Sequence, residues 1–357
     1  MAMDGKSVIG NTASVREAYA NQVDFCRAND STVTARIVAA IAALIDKPDP
    51  GAFIARIRDW PGSPLGDAVP LRSAGGLHAL HLSGAAPELA PIYADQPADD
   101  VAIVRAVISS QEPFLLPWLD GPPQTNEAGR SSGFIAAMLW LAEKGLPPRF
   151  ECLEIGSSAG INLMIERYHY DLGGVQVGPQ DSAMRLTPEW RGALPPNREI
   201  AFALLKGCDL APVDLTDPRQ ALRLKAYIWP EHTVRFARLE AAIAAARQRP
   251  PDLVRMNAAD FVEQELARPQ AEGTTRLLMH SIVWQYVPQD QQARVTTAMM
   301  AAGERATPGR PLAWAALEGN RSLLNHGLTV RFWPGGSDET LLAAAHAHGA
   351  WLEWFGS

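Results

Sequence analysis

The chain predicts an α/β fold, a doubly wound and mostly parallel sheet preceded by an N-terminal helical domain. Residues 150–162, Phe-Glu-Cys-Leu-Glu-Ile-Gly-Ser-Ser-Ala-Gly-Ile-Asn, carry most of that prediction. An apolar strand runs up to Glu154 and Ile155, a turn of small residues spans Gly156 to Gly160, and a helix is expected from Ile161 through Leu163, Met164 and Ile165. Strand, glycine turn and helix in that order build the ligand-facing crevice of an open α/β sheet. Further along, short apolar runs alternate with helical stretches, the pattern of strands joined by crossover helices. Residues 12–145, by contrast, read mainly as helix.

In order, Val15, Tyr19, Val23 and Cys26 recur at helical spacing, and a second helix follows Ser31 with Val33, Ile37, Ile41, Leu44 and Ile45 on one face. It stops before Pro48-Asp49-Pro50. Phe53, Ile54 and Ile57 mark a short third helix, and Val101, Val104, Val107 and Ile108 another; the period leaves Leu77 to Leu82 open between strand and helix. Gly121-Pro122-Pro123 punctuates the chain, so the domains are placed at 1–122 and 123–357. A helix over about 127–144, capped by Thr125 or Asn126, leads into the strand before the turn. Residues 168–200 fit no clean element and read as an insertion. Ala203-Leu204-Leu205 up to Asp209 forms the second strand, and Asp217-Pro218 opens a helix with proline at its first position. A helix over about 231–247 follows, with strands at 253–256, 276–280 and 312–317 beyond it. Strands at 328–333 and 350–354 close the sheet, with a helix expected over 339–346 between them.

The turn discriminates among ligands. A dinucleotide fingerprint needs G-x-G-x-x-G, but Ser158 stands at the middle glycine position. A Walker-type phosphate loop ends in Gly-Lys-Ser/Thr, whereas this turn ends Ala159-Gly160-Ile161. S-adenosylmethionine carries no phosphate and tolerates a serine there, and Glu154 suits an ammonium group or orders the loop. Gly156-Ser157-Ser158-Ala159-Gly160 is also G-x-S-x-G, the elbow that presents a serine in α/β-hydrolases, with His346 or His348 late in the chain. A third reading keeps the glycines for packing alone, on a scaffold that binds or regulates without catalysis.

Composition narrows the partners. The chain has 357 residues, 47% of them hydrophobic, ample for a buried core and about two domains. A net charge of −7 and the lack of a dense Lys/Arg run disfavour a nucleic-acid partner. Apolar runs such as Ile37 to Ile45 stay far below the roughly 20 residues of a membrane span. Met1 to Lys6 lacks the shape of a signal peptide. Cys26, Cys152 and Cys208 are widely spaced and form no zinc pattern, which points to a reducing cytoplasm. His78-x-x-His81 and His346-x-His348 are not read as metal sites.

Residues just after strand ends are the candidates for a crevice. Asp209 suits a ribose diol, with Asp214 and Glu231 as rivals and a plain turn aspartate as the alternative. After the fourth strand, His280 is a candidate base for an acceptor that must lose a proton, with Ser281 and Tyr286 as further catalytic candidates and Trp284 and Gln285 as acceptor contacts. Gln124, Asn126 and Glu127, at the start of the helix before the first strand, are candidate substrate contacts or a capping cluster. Arg130 could orient a substrate carboxylate. Gly156→Val is expected to block the crevice while leaving the chain largely folded.

The turn resembles motif I of the class I S-adenosylmethionine-dependent methyltransferases. More closely, the chain resembles a bacterial family of unknown function whose members share such a core. The stretches that carry this are Gln124-Thr125-Asn126-Glu127, Leu153 to Leu163, Gly207 to Asp214, His280 to Tyr286, and Trp333-Pro334-Gly335-Gly336. The resemblance implies a methyltransferase-like Rossmann variant, with S-adenosylmethionine held by Glu154, Gly156, Ser157, Ser158, Ala159, Gly160, Asn162 and Asp209. It further implies Asp260 at the adenine amino group, where a helix N-cap is the other reading, and Phe261 over the ring. The activity it implies is methyl transfer to a small-molecule acceptor, and it assigns no substrate. The closing helix over 339–346 departs from the methyltransferase order, in which a helix precedes a paired final hairpin.

Overall fold

The structure, a computed structural model, describes residues 14–49 and 51–356; Met1 to Lys6 and Pro50 lie outside the described residues. In chain order the helices are α1 (Val15–Ala28), α2 (Thr32–Ala42), α3 (Gly51–Arg58), α4 (Val69–Leu82), α5 (Ala90–Tyr93), α6 (Asp100–Leu115) and α7 (Ser131–Glu143). They continue as α8 (Pro218–Ala226), α9 (Thr233–Gln248), α10 (Ala258–Leu266) and α11 (Gln289–Gly303). The chain divides into two compact units. One is the described part of Met1–Thr125 together with Asp217–Ala237; the other is Asn126–Thr216 together with the described residues from Arg238 onward.

The first unit is helical. Tyr19, Val23 and Cys26 of α1 share a core with Ile37 and Ile41 of α2, Phe53 and Ile57 of α3, and Val104, Val107 and Ile108 of α6. Residues 77–82 belong to α4, which is buried on nearly every side from Val69 to Leu80. A helix without a polar face has no period to read, which is why this stretch stays ambiguous in sequence. The segment 217–237, which a single cut after residue 122 leaves in the α/β part, completes this unit. Asp217 caps α8 by accepting from Arg219 N, with Pro218 at its first position. Gly75 of α4 leaves room for Tyr227, whose Cε1 would lie 2.7 Å from a Cβ there. The Glu231 carboxylate accepts from the amides of Val33 (2.7 Å) and Thr34 (3.2 Å) at the start of α2. Ser31, the residue before α2, makes no side-chain cap of its own, so Glu231 satisfies amides that the helix leaves open.

The second unit is built on strands β1 (Arg149–Ile155), β2 (His169–Leu172), β3 (Val175–Val177), β4 (Arg185–Leu186), β5 (Glu189–Gly192) and β6 (Ala201–Asp209). The later strands are β7 (Asp252–Arg255), β8 (Thr275–Ser281), β9 (Leu312–Asn320), β10 (Asn325–Trp333), β11 (Gly336–Ala345) and β12 (Trp351–Trp354). The large sheet runs β5-β12-β11-β10-β9-β8-β1-β6-β7. From β7 through β6, β1 and β8 to β9 every pairing is parallel. From β9 through β10 and β11 to β12 the pairings are antiparallel, and β5 joins β12 in parallel. Leu153, Ile155, Leu278, Phe261, Val262, Val295 and Met299 share the core over the parallel half. Within the 168–200 insertion, β2, β3 and β4 form a small separate sheet.

Three local expectations change. Residues 339–346 are not helical: Gly336–Ala345 is β11, paired with β10 on one side and β12 on the other. Leu341-Leu342-Ala343-Ala344-Ala345 is locally helix-prone, and two-sided pairing overrides that weak preference. The helix after the turn is a 3-10 segment, Ile161–Arg167, that gives way to β2. The helix before β1 starts as a 3-10 turn, Ala128–Arg130, capped by Glu127 rather than by Thr125 or Asn126, and becomes α7 at Ser131.

Candidate functional site

The chain leaves β1 for β6 and β7 on one side, then returns to β8 and β9 on the other. The strand order therefore reverses between β1 and β8, and ligands of open parallel sheets bind at the carboxyl ends of the strands flanking such a point. Here those ends carry the turn 156–160 and the loop 281–287.

The turn is tightly engaged by the protein itself. Gly156, Ser158 and Gly160 have φ of 67°, 52° and 69°. Ser157 N donates to Cys208 O (3.0 Å), Gly160 N to Ser157 O (2.7 Å), and Ile161 N to Asn126 Oδ1 (3.0 Å). Asp209 accepts from Ser158 N and from Ala211 N, each at 2.8 Å, one through each carboxylate oxygen. Val213 N closes the same loop onto Ser158 O (3.0 Å). Asp209 thus stands as the carboxylate that orders the turn, and Asn126 caps the 3-10 segment from 35 residues away. A Cβ on Gly156 would overlap Val283 Cγ2. The expectation that Gly156→Val leaves the fold intact is corrected on that ground: the change meets both a positive φ and an occupied space.

Beneath the turn lie polar atoms that the protein does not satisfy. Glu154 is buried; its Oε1 accepts from Asn162 Nδ2 (2.8 Å), while Oε2 has no partner. Burial pushes the carboxyl up to about 7, with Asp209 adding to the effect and Arg130 opposing it. Asn162 Oδ1 and Ser158 Oγ are likewise buried without partners. Since Ser158 Oγ makes no hydrogen bond, no imidazole is bonded to it in this arrangement. Ser157 Oγ donates to Glu154 O (3.1 Å), and Ala159 is fully buried.

Other candidates fall elsewhere. Asp260 lies in the first turn of α10, whose N-cap is Asn257; it is half exposed and paired with Arg294 at 2.7 Å, which holds its carboxyl below the usual range. Phe261 is wholly buried in the core. Gln124 belongs to the helical unit. Glu127 is buried 3.8 Å from Arg238. Arg130 is buried, donating from Nε to Ala347 O (2.9 Å) and from Nη1 to Ser281 O (3.4 Å). Gln285 and Tyr286 are exposed on the 3-10 turn Trp284–Tyr286, Tyr286 by 75%. Among the described residues no group of three or more His, Cys, Asp or Glu side chains is placed to hold a metal. No described helix is long and apolar enough to cross a membrane. All three cysteines are free and buried.

At the end of β8 the structure supplies a partner that sequence reasoning missed. His280 Nδ1 lies 2.7 Å from Glu318 Oε1, an oxygen that also accepts from the amides of Val283 (3.1 Å) and Trp284 (3.2 Å). Register places His280 opposite Ala316 on β9, two residues before Glu318. An acid one residue beyond the strand expected at 312–317 was the available signal. Ile282, between these groups, has φ of 51°. A β-branched residue there is strained, and such strain clusters at functional loops. His280 and Glu318 line a cavity of about 310 Å³ with Trp284, Trp314, Thr329 and Arg331.

Fold and site together define an α/β protein with a parallel core, a glycine turn at its strand-order reversal and a histidine–glutamate pair beside it. The chain belongs to DUF2332, a family described as an uncharacterized protein conserved in bacteria, which matches residues 16–354. No curated protein and no solved structure matches it.

Proposed function

We propose that this protein carries out S-adenosylmethionine-dependent methyl transfer to a small-molecule acceptor, at the carboxyl ends of β1 and β8. The observation that carries the reading is the buried Glu154 carboxyl, with one oxygen lacking a protein partner beneath a glycine turn at the strand-order reversal. A buried acid without a full set of partners is costly unless a ligand completes it. Glu154 would hold the ammonium group of the cofactor, and Asn162, fixed by its bond to Glu154, would present its free Oδ1 alongside. Asp209 keeps the turn in place through Ser158 N. Bound there, the cofactor would supply an electrophilic methyl group. His280 would take the acceptor's proton at Nε2, steadied by Glu318.

Titration calorimetry with S-adenosylmethionine and S-adenosylhomocysteine tests this. Saturable binding is expected, weakened about tenfold in Glu154→Gln. Because Glu154 ionises near pH 7 with Asp209 and Arg130 as its charged neighbours, affinity should rise through that pH in the wild type and stay flat in the variant. No heat at millimolar ligand overturns the reading.

A further inference from the structure

We infer that the cavity over β8, β9 and β10 is a binding site for a hydroxylated aromatic molecule, whose acidic O–H meets His280 Nε2. The site is built by strand alternation. Trp314, Ala316 and Glu318 share one face of β9, and their register partners Arg331, Thr329 and Gly327 share that face of β10. Ala316 keeps the middle of this floor low, with Trp314 towards one end and Glu318, paired with Gly327, towards the other, and all of these residues line the same 310 Å³ cavity. That volume lies at the lower end of the range for small-molecule sites.

Three rings shape it for a flat ligand. His280 stacks on Trp284 at 5.0 Å, Trp284 meets Trp314 edge-on at 5.7 Å, and Trp314 lies 6.0 Å from His280. Two polar atoms then set the ligand's chemistry. Glu318 Oε1 accepts from two amides, so it acts as the acceptor towards His280 as well, and the imidazole proton sits on Nδ1. Nε2 is thereby left an acceptor; it is buried and has no partner, and His280 is only 2% exposed. Trp314 Nε1, a donor, is also buried without a partner. One acceptor and one donor on aromatic walls call for a ring bearing an O–H to give and an oxygen lone pair to receive. When the O–H bond breaks, its proton passes to Nε2 and the electron pair stays on the ligand oxygen, giving a phenolate beside an imidazolium that Glu318 stabilises.

This deepens the reading above, in which such a molecule is the methyl acceptor, and rests on it only for that role. Binding and proton transfer need no cofactor, so failure here and failure of S-adenosylmethionine binding are separate results. The probe is 4-nitrophenol, titrated into the full chain at a pH below the phenol's own pKa, followed by tryptophan fluorescence and by nitrophenolate absorbance. Saturable quenching with a growing phenolate band is expected. His280→Gln should abolish the band and weaken the saturable quenching, and Ala316→Leu, which fills the floor, should weaken binding at least about tenfold. Glu318→Gln should reduce the phenolate fraction at saturation. A circular dichroism spectrum and melting curve for each variant separate lost binding from lost folding, and Thr329→Leu serves as the alternative blocking variant if Ala316→Leu does not fold. Unsaturable quenching, binding indifferent to a folded blocking variant, or an undiminished band in His280→Gln each overturns the proposal.

Discussion

At Gly156, a φ of 67° and the methyl of Val283 both stand against any side chain, so backbone conformation and packing together call for glycine. Gly156→Ala should therefore destabilise by about 2–4 kcal/mol, through overpacking and a left-handed backbone together. Val283→Ala in the same chain should restore part of that loss. A double-mutant cycle by urea unfolding measures the coupling; additive losses would show that Val283 does not press on Gly156. Ser158 is the other instructive residue. Its φ of 52° fits the sharp turn of a nucleophile elbow, yet its hydroxyl bonds to nothing, whereas His280 is oriented by a carboxylate. Chemistry by imidazole is better prepared here than chemistry by serine.

At the scale of elements, long-range side chains finish what local sequence starts. α2 opens without a cap of its own and takes one from Glu231, and the 3-10 segment after the turn takes one from Asn126. Glu231→Ala should cost about 1–2 kcal/mol, the usual scale of a lost cap. Hydrogen exchange reads this locally: the amides of Val33 and Thr34 should lose protection first. Unchanged protection there would mean that Glu231 holds nothing in place. The conversion of residues 336–345 from expected helix to strand belongs to this scale too, because a segment paired on both edges gains more from its ladder than an alanine-rich turn gains from propensity.

For the molecule as a whole, Glu154 couples stability to pH. Its carboxyl rises from an ordinary 4.5 to about 7, because burial disfavours the charge. The native state therefore keeps a proton that the unfolded chain releases. This contribution is full below about pH 4.5 and is lost as pH rises through about 7. Relative to Glu154→Gln, the wild type should lose on the order of 1–3 kcal/mol across that window. Denaturant unfolding at several pH values, with a probe in the sheet-bearing unit, measures it, and a constant difference between the two proteins would refute it. Discontinuity of the helical unit in sequence has the same origin in long-range contact, since Tyr227 and Glu231 complete helices that lie more than a hundred residues earlier.

The sequence by itself determined where the parallel strands lie along the chain, the turn at 156–160 and most of the N-terminal helices. Each is written in a short window, as an apolar period or as glycines where φ must be positive. His280 was also legible, as a polar residue at a strand end. Tertiary structure alone decided that Glu318 would hold it, that Asp209 would order the turn, that Asp260 would pair with Arg294, and that Phe261 would sink into the core. The physical reason is common to all four. Strand register and loop closure bring together groups that share no local pattern, and a side chain's role follows from the neighbour it meets rather than from its place in the chain.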